Sequence, residues 1–214
     1  MRLVLPRLYV ILDATLITSP ERDCAASLAE AGVRLFQYRN KSALARKYLD
    51  TSRELAEGLR LHGASFFVND RPDVAFLSGA SGVHVGQDDL DVEQARRIVG
   101  HDKFVGVSTH NLEQFEMAAE SSADYIAVGP VFSTSSKANP DPLVGLDFLH
   151  KVRRLTDRPL VAIGGITLER AASVIEAGAD SVAVISGILS APDPAQRARQ
   201  YIETLEAAKP AAAV

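Results

Sequence analysis

Short apolar runs alternate along the chain with longer segments in which apolar residues recur every three or four positions. The runs are LYVIL (8–12), VRLFQY (33–38), SFFVN (65–69), GVHVG (82–86), KFVGVS (103–108), DYIAVG (124–129), PLVAIG (159–164) and DSVAVIS (180–186). They are apolar on both faces, which predicts parallel strands covered by helices. The intervening segments carry helical stripes: Leu44, Tyr48, Leu55 and Leu59; Leu168, Ala171, Ala172 and Ile175; Ala198, Tyr201, Ile202 and Leu205. Asp193-Pro194 predicts an N-cap followed by proline in the first turn, and Gly32 and Gly178 stand where a helix should stop.

A weak internal repeat supports this alternation. EAGVRLFQY, SGASGVHVG, ESSADYIAV and EAGADSVAV vary one phrase that leads from a helix end into the second, fourth, sixth and eighth strands. Four βαβα copies make eight units of about 27 residues, the size expected of a small closed barrel. The expected architecture is a single-domain (β/α)8 TIM barrel over residues 1–208, with 209–214 as a flexible C-terminal tail. A doubly wound open sheet uses the same alternation, but eight near-equal units favour closure.

Composition narrows the partners. The 214 residues carry 23 basic and 27 acidic side chains, a net charge of −4, interleaved along the chain. No basic face for nucleic acid is expected. An anionic ligand must then be held by a few placed cations, and only six of the basic residues are lysines. Cys24 is the single cysteine, which excludes an intrachain disulfide and fits a reducing cytoplasm; it is expected as a small buried residue of the first helix. MRLVLPRLYV is too short for a signal-peptide core and contains Pro6, and no apolar run approaches the ~18 residues of a membrane span. A homo-oligomer is left open.

The chemistry collects behind the strands. Gln37-Tyr38-Arg39-Asn40-Lys41 follows the second, Asn69-Asp70-Arg71 the third, Gly86-Gln87-Asp88-Asp89 the fourth and Ser108-Thr109-His110 the fifth. The sixth leads into the long loop Gly129–Lys137, the seventh into Gly164-Gly165-Ile166 and the eighth into Ser186-Gly187. Any one cluster is ordinary turn chemistry. Seven together mark the face where barrels of this kind keep their active sites. Gln37, Arg39 and Lys41 alternate along an extended segment, so they should project as a comb on one side. Such a comb is costly to bury unless anions meet it. Asp70 and Asp89, at the tips of adjacent strands, can share a magnesium ion. Asp88 competes for that role, and Asp70 could instead cap the helix opening at Arg71-Pro72. Gly164-Gly165 and Ser186-Gly187 stand where barrels bind phosphate through backbone N–H groups. Thr134 to Lys137 could close over a ligand.

Among the histidines, His84 lies within a strand and should face the barrel interior or support the site. His110 follows Ser108 closely, which leaves a Ser–His pair open, while His62, His101 and His150 fall on or beside helices and are expected at the surface. No zinc pattern is present.

The motifs QYRNK, VNDR, GVHVGQDDL, GVSTH, VGPVFSTSSK and VAIGGI, in this order, resemble those of the thiamine phosphate synthase family, over essentially the whole chain. The resemblance implies a cytoplasmic, Mg2+-dependent transferase that joins a pyrimidine diphosphate to a thiazole phosphate and releases pyrophosphate. It assigns the diphosphate to Arg39, Lys41, Asn69 and Lys137, the metal to Asp70 and Asp89, and the pyrimidine side to Gln37 and Ser108. Thr134, Ser136, Gly165, Ile185 and Ser186 would surround the thiazole phosphate. Arg39, Lys41, Lys137 and Ser108 would carry the catalysis. Asn40 departs from the glutamate often found between the Arg and Lys, and Ser135-Ser136 from the usual Pro-Thr. The alternatives are a thiazole tautomerase on the same barrel, which has no need for the comb and the aspartate pair, and a non-catalytic phospho-metabolite sensor. The expected site thus has a cationic, metal-bearing half on strands two to four and a neutral, glycine-rich half on strands six to eight.

Overall fold

The computed structural model describes residues 3–134 and 142–209. Its elements run β1 (Leu8–Asp13), α1 (Glu21–Glu30), β2 (Leu35–Arg39), α2 (Ala45–Leu61), β3 (Ser65–Asn69), α3 (Pro72–Ser78), β4 (Gly82–Val85) and α4 (Val92–Val99). They continue as β5 (Phe104–Thr109), α5 (Leu112–Glu120), β6 (Tyr125–Val128), α6 (Gly145–Arg153), β7 (Leu160–Ile163), α7 (Leu168–Glu176), β8 (Ser181–Val184), α8 (Ser186–Leu189) and α9 (Pro194–Ala207). Each strand pairs in parallel with the next, and β8 returns to β1 with Val182 opposite Leu8. The sheet is therefore closed, a (β/α)8 barrel rather than an open doubly wound sheet. No helix among the described residues is long and apolar enough to cross a membrane.

The expected caps are present. Asp193 accepts from the Gln196 N–H at 2.9 Å, with Pro194 in the first turn. Gly32 and Gly178 hold φ values of 107° and 109°, open to glycine and strained for other residues. Leu44 corrects the first stripe: it caps α2 and is 82% exposed, while Tyr48, Leu55 and Leu59 are buried. The short α8 has no helical periodicity to announce it.

Strand alternation divides the core in two. Outward residues such as Val10, Phe36, Val83 and Val182 pack beneath the helices. Inward residues, among them Tyr9, Leu35, Phe67, Tyr125 and Val161, fill the barrel. Aromatic filling requires missing side chains opposite. A Cβ on Gly106 would overlap the Tyr125 ring, and one on Gly82 would overlap Phe67 and the Phe104 carbonyl. The two glycines are vacancies for these rings.

The internal repeat has a structural cause at the opposite end from the polar loops. Ser81, Asp124 and Asp180 hold the same place in their copies, immediately before β4, β6 and β8 respectively. Each accepts a backbone N–H from the preceding strand: Phe66 to Ser81 at 3.1 Å, Val105 to Asp124 at 2.7 Å and Leu160 to Asp180 at 2.7 Å. Arg96 pairs with Asp124, and Arg153 with Asp180 at 2.9 Å. Both guanidiniums also bind nearby carbonyls, including Ser122 from Arg96 and Arg158 from Arg153.

Two stability outcomes follow. Gly106→Ala should cost about 1–3 kcal/mol in urea unfolding by overpacking, whereas Gly58→Ala, inside α2 with open space at the Cβ, should be neutral or stabilising by about 0.5–1 kcal/mol. Asp124→Ala strands the Val105 N–H and the largely buried Arg96 together, so a loss of about 1–3 kcal/mol is expected. An unchanged unfolding midpoint for Asp124→Ala would remove the role given to the repeat.

Candidate active site

A cavity of about 300 Å³ opens at the C-terminal ends of the strands, the end to which the polar loops were assigned. Its walls include Gln37, Arg39, Asn69 and Ser108 on one side and Thr134, Gly164, Gly165, Ile185 and Ser186 on the other. The sequence comb and the glycine turns therefore meet across one space. Tyr48 helps hold the first side in place: from α2 its hydroxyl donates to the carbonyls of Tyr38 at 2.9 Å and Asn69 at 3.0 Å, tying the ends of β2 and β3 together.

The comb is only partly a comb. Gln37 and Arg39 project inward from β2, while Lys41 lies beyond the strand in a bend. Anions meet both cations. Arg39 pairs with Asp13 at the end of β1, and the Lys41 ammonium lies 3.3 Å from the Asp70 carboxylate. Burial by itself would raise the Asp13 pKa; two hydrogen bonds from Thr15 and the charge of Arg39 outweigh it and hold the carboxyl below its usual value. Asn40 serves the turn: its side-chain oxygen accepts from the Ser42 and Ala43 N–H groups at 3.2 and 3.0 Å, and its amide donates to the Tyr38 hydroxyl.

Asp70 does not cap α3, whose N-cap is Arg71. It is the one non-glycine residue with positive φ among those described, at 63°. Aspartate tolerates this region better than most side chains, and the carboxyl is thereby brought against Asp89. Burial, followed by the hydrogen bond and charge of Asp89, pushes the Asp70 pKa up to about 6 against the opposing pull of Lys41. Asp89 also accepts from the Gly86 N–H at 2.8 Å, whereas Asp88 is exposed, which favours Asp89 as the second carboxylate. Lys41, Asp70 and Asp89 are not part of the cavity wall; Asp70 adjoins Asn69, which is. Among the described residues no group of three or more His, Cys, Asp and Glu side chains comes together to hold a metal.

The floor is a connected set of polar groups. Gln37 Nε2 donates to the Tyr9 hydroxyl at 3.0 Å, which lies 3.2 Å from the Tyr125 hydroxyl. His84 Nδ1 is 2.8 Å from Tyr125, and its Nε2 is 2.9 Å from Ser108 Oγ. The histidine of the Ser–His contact is thus His84; His110 instead places Nδ1 2.6 Å from the Gly129 carbonyl.

In the glycine-rich half, Gly164 and Gly165 have φ values of 101° and 60°. A Cβ on Gly164 would overlap Pro130, and one on Gly165 the backbone of Phe132 and Ser133. Loop packing alone therefore demands both glycines. Ile185 and Ser186 enter the wall where β8 passes into α8. This half is not neutral as expected: Arg170 from α7 lines it, with its guanidinium 4.8 Å from the Phe132 ring centroid and its NH1 donating to the Gly165 carbonyl at 3.3 Å. Ser136 and Lys137 lie outside the described residues, as does the 135–141 part of the 130–144 loop. Asp13 and Arg170 went unread in the sequence; Asp13 carries the same strand-end polarity as the other clusters, whereas Arg170 has no local mark.

The family model described as Thiamine monophosphate synthase matches residues 8–188. The chain is 52% identical to the thiamine-phosphate synthase of Koribacter versatilis (strain Ellin345), over 95% of this chain and 97% of that one. It is 43% identical to the thiamine-phosphate synthase of Chloroflexus aurantiacus (strain ATCC 29366 / DSM 635 / J-10-fl), over 91% and 90%. Its structure superposes on the thiamine phosphate pyrophosphorylase of Pyrococcus furiosus with a TM-score of 0.86 at 34% identity, covering 94% of this chain and 96% of that one. Similarity of this extent spans strands, loops and both halves of the cavity: the chain belongs to the thiamine monophosphate synthase family.

Proposed function

We propose that this enzyme of thiamine biosynthesis couples 4-amino-2-methyl-5-hydroxymethylpyrimidine diphosphate with 4-methyl-5-(2-hydroxyethyl)thiazole phosphate, or its carboxylated form, to give thiamine phosphate and pyrophosphate. One observation supports the two-substrate reading above all. A single cavity joins a charged half holding Arg39 to a glycine-rich half bearing Ser186 and Arg170. A tautomerase or a sensor leaves the Lys41–Asp70–Asp89 cluster beside that cavity without a purpose. A cytoplasmic location and small-molecule partners only, with neither nucleic acid nor membrane, belong to the same reading.

The charged half fits a divalent cation. Arg39 and Lys41 stand there against Asp13, Asp70 and Asp89, two cations against three carboxylates. Such a set attracts a diphosphate poorly until further positive charge joins it. Asp70 and Asp89 offer hard oxygen donors already pressed together, and would hold Mg2+ through them. The ion would supply a positive partner for the diphosphate oxygens.

Arg39 and Lys41 would bind the departing diphosphate, with Asn69 beside them and Lys137 joining from the 130–144 loop. The C–O bond to the diphosphate breaks with its electron pair on the leaving oxygen. The pyrimidinylmethyl cation so formed is captured by the thiazole nitrogen lone pair, giving the new C–N bond. Gln37 and Ser108 would orient the pyrimidine. Thr134, Ser136, Gly164, Gly165, Ile185 and Ser186 would seat the thiazole phosphate. Preorganised charge of this kind is the usual dominant contribution to such a step, and no protein nucleophile is required.

Incubation with both substrates, with and without Mg2+, should yield thiamine phosphate and pyrophosphate only in the presence of the metal. Asp89→Ala should lower product formation at ordinary Mg2+ by about 100-fold or more. Wild-type turnover by that variant would defeat the metal assignment, and binding of both substrates without product would replace the enzyme with a sensor.

A further inference from the structure

The floor of the cavity is one chain of four hydrogen bonds through five strands, and its direction can be worked out by counting protons. Gln37, His84 and Ser108 face the cavity, while Tyr9 and Tyr125 lie beneath it, 1% and 0% exposed. Burial pushes the pKa of both phenols far above the ordinary range, so each carries one hydrogen to donate. The Tyr9 oxygen accepts from Gln37 Nε2, and its hydrogen is directed to the Tyr125 oxygen 3.2 Å away. Tyr125 then donates to His84 Nδ1 at 2.8 Å. With Nδ1 as acceptor, a neutral imidazole carries its hydrogen on Nε2, which donates to Ser108 Oγ at 2.9 Å. The Ser108 hydrogen is then available to the cavity. An imidazolium does not suit this chain: its Nδ1–H would also need an acceptor at Tyr125, which would turn the Tyr125 hydrogen to Tyr9 and leave the buried Tyr9 hydrogen without an acceptor in the chain.

The two cavity-facing ends consequently have opposite character. Gln37 donates one of its two Nε2 hydrogens to Tyr9 and can turn its carbonyl oxygen, an acceptor, to the cavity, whereas Ser108 presents a donor. Turning the Gln37 amide over would reverse every link together, so the middle of the chain transmits the sense from one end to the other. Buried groups left with clashing donors or acceptors are costly enough to make mixed states rare.

We propose that Tyr125 is a positioning residue that holds neutral His84 in its Nε2–H tautomer and thereby makes Ser108 a hydrogen-bond donor, so that the cavity selects a heterocycle presenting an N–H donor to Gln37 and a ring acceptor to Ser108. The ligand half of this statement rests on the coupling reading above, in which the heterocycle is an aminopyrimidine; the tautomer half does not. A 4-oxo analogue, with a carbonyl in place of the amino group and a hydrogen on a ring nitrogen, presents the reverse pattern. Tyr125→Phe keeps the ring that stacks on His84 at 5.5 Å between centroids and packs edge-on against Phe67 at 5.7 Å, and deletes only the hydroxyl.

The test uses the full-length 15N-labelled protein without ligand. Two-bond 1H–15N correlation spectra, assigned with a His84→Gln variant and recorded near neutral pH, should show the Nε2–H tautomer in the wild type and a mixture with Nδ1–H in Tyr125→Phe. Kinetics with the two substrates should show Tyr125→Phe raising the KM for the pyrimidine diphosphate about tenfold with the KM for the thiazole phosphate unmoved. Its preference for the 4-amino over the 4-oxo diphosphate should fall by a similar factor. An Nδ1–H tautomer or an imidazolium in the wild type overturns the proposal, as does a tautomer unchanged by Tyr125→Phe or a loss shared equally by both substrates. The wild-type spectrum decides even if Tyr125→Phe fails to fold. Should no turnover be found with any substrate, the coupling reading fails while the tautomer result still stands or falls by itself.

Discussion

Two phenol hydroxyls, those of Tyr9 and Tyr125, lie where the filling of the barrel changes from apolar to polar. Below them the interior is closed by Leu35, Phe67 and Val161; above them it is Gln37, His84 and Ser108. A buried hydroxyl without a partner costs about 1–3 kcal/mol, so placing two of them in the middle of the barrel obliges the next layer to be polar and to be spatially ordered. The rings impose a matching demand on the backbone, because Tyr125 occupies the space where any side chain on Gly106 would begin. Packing below and polarity above are thus set by the same two residues.

The rim is built on a different physical basis. Its charges are paired across strands, Arg39 with Asp13 and the exposed Lys41 with Asp70, which explains how the largely enclosed Arg39 can stand at its strand end before any ligand arrives. Pairing also tempers them. Each carboxylate that steadies a cation subtracts from the attraction the site can exert on a phosphate, and under the proposed function the excess of carboxylates would call for further positive charge. The opposite half carries less charge and is lined by Arg170 and the close backbone turns at Gly164, Gly165 and Ser186. A chain of net charge −4 can therefore serve anionic ligands, because the relevant charge is local.

Much of this was legible in the residues alone, for reasons that differ by level. The strands were readable because parallel strands sandwiched between helices and barrel interior must be apolar on both faces, and each run ends within two residues of its strand. The polar strand ends were readable because they repeat. Partners were not: nothing in LYVILD marks Asp13 as the counter-charge of Arg39, since the pairing depends on β1 lying beside β2 in a register of Asp13 opposite Arg39. Arg170 sits on a helix between Glu169 and Ala171 and reaches the cavity only because α7 begins at its wall. Leu44 misled for the opposite reason, since its spacing fits the stripe while its position at the helix N-cap turns it to solvent. The Ser–His pairing was likewise a matter of register: Ser108 and His110 are close in sequence, but His84 on the adjacent β4 is the one within reach.

The repeat in the sequence and the site in the structure occupy opposite ends of the same strands, and this separation explains why one is repetitive and the other is not. At the N-terminal ends β4, β6 and β8 each meet the same difficulty, an N–H at the start of the preceding strand that needs a side-chain acceptor. Ser81, Asp124 and Asp180 answer it with one side-chain acceptor in the same place. At the C-terminal ends the task changes from strand to strand, since a ligand with distinct parts needs a distinct residue against each. β6 carries both logics over four residues, opening behind Asp124 and closing into Gly129, where a Cβ would overlap the Ile163 carbonyl. Uniform stability at one end leaves the other free to vary, which is the physical condition for building an asymmetric two-part site on a nearly symmetric barrel.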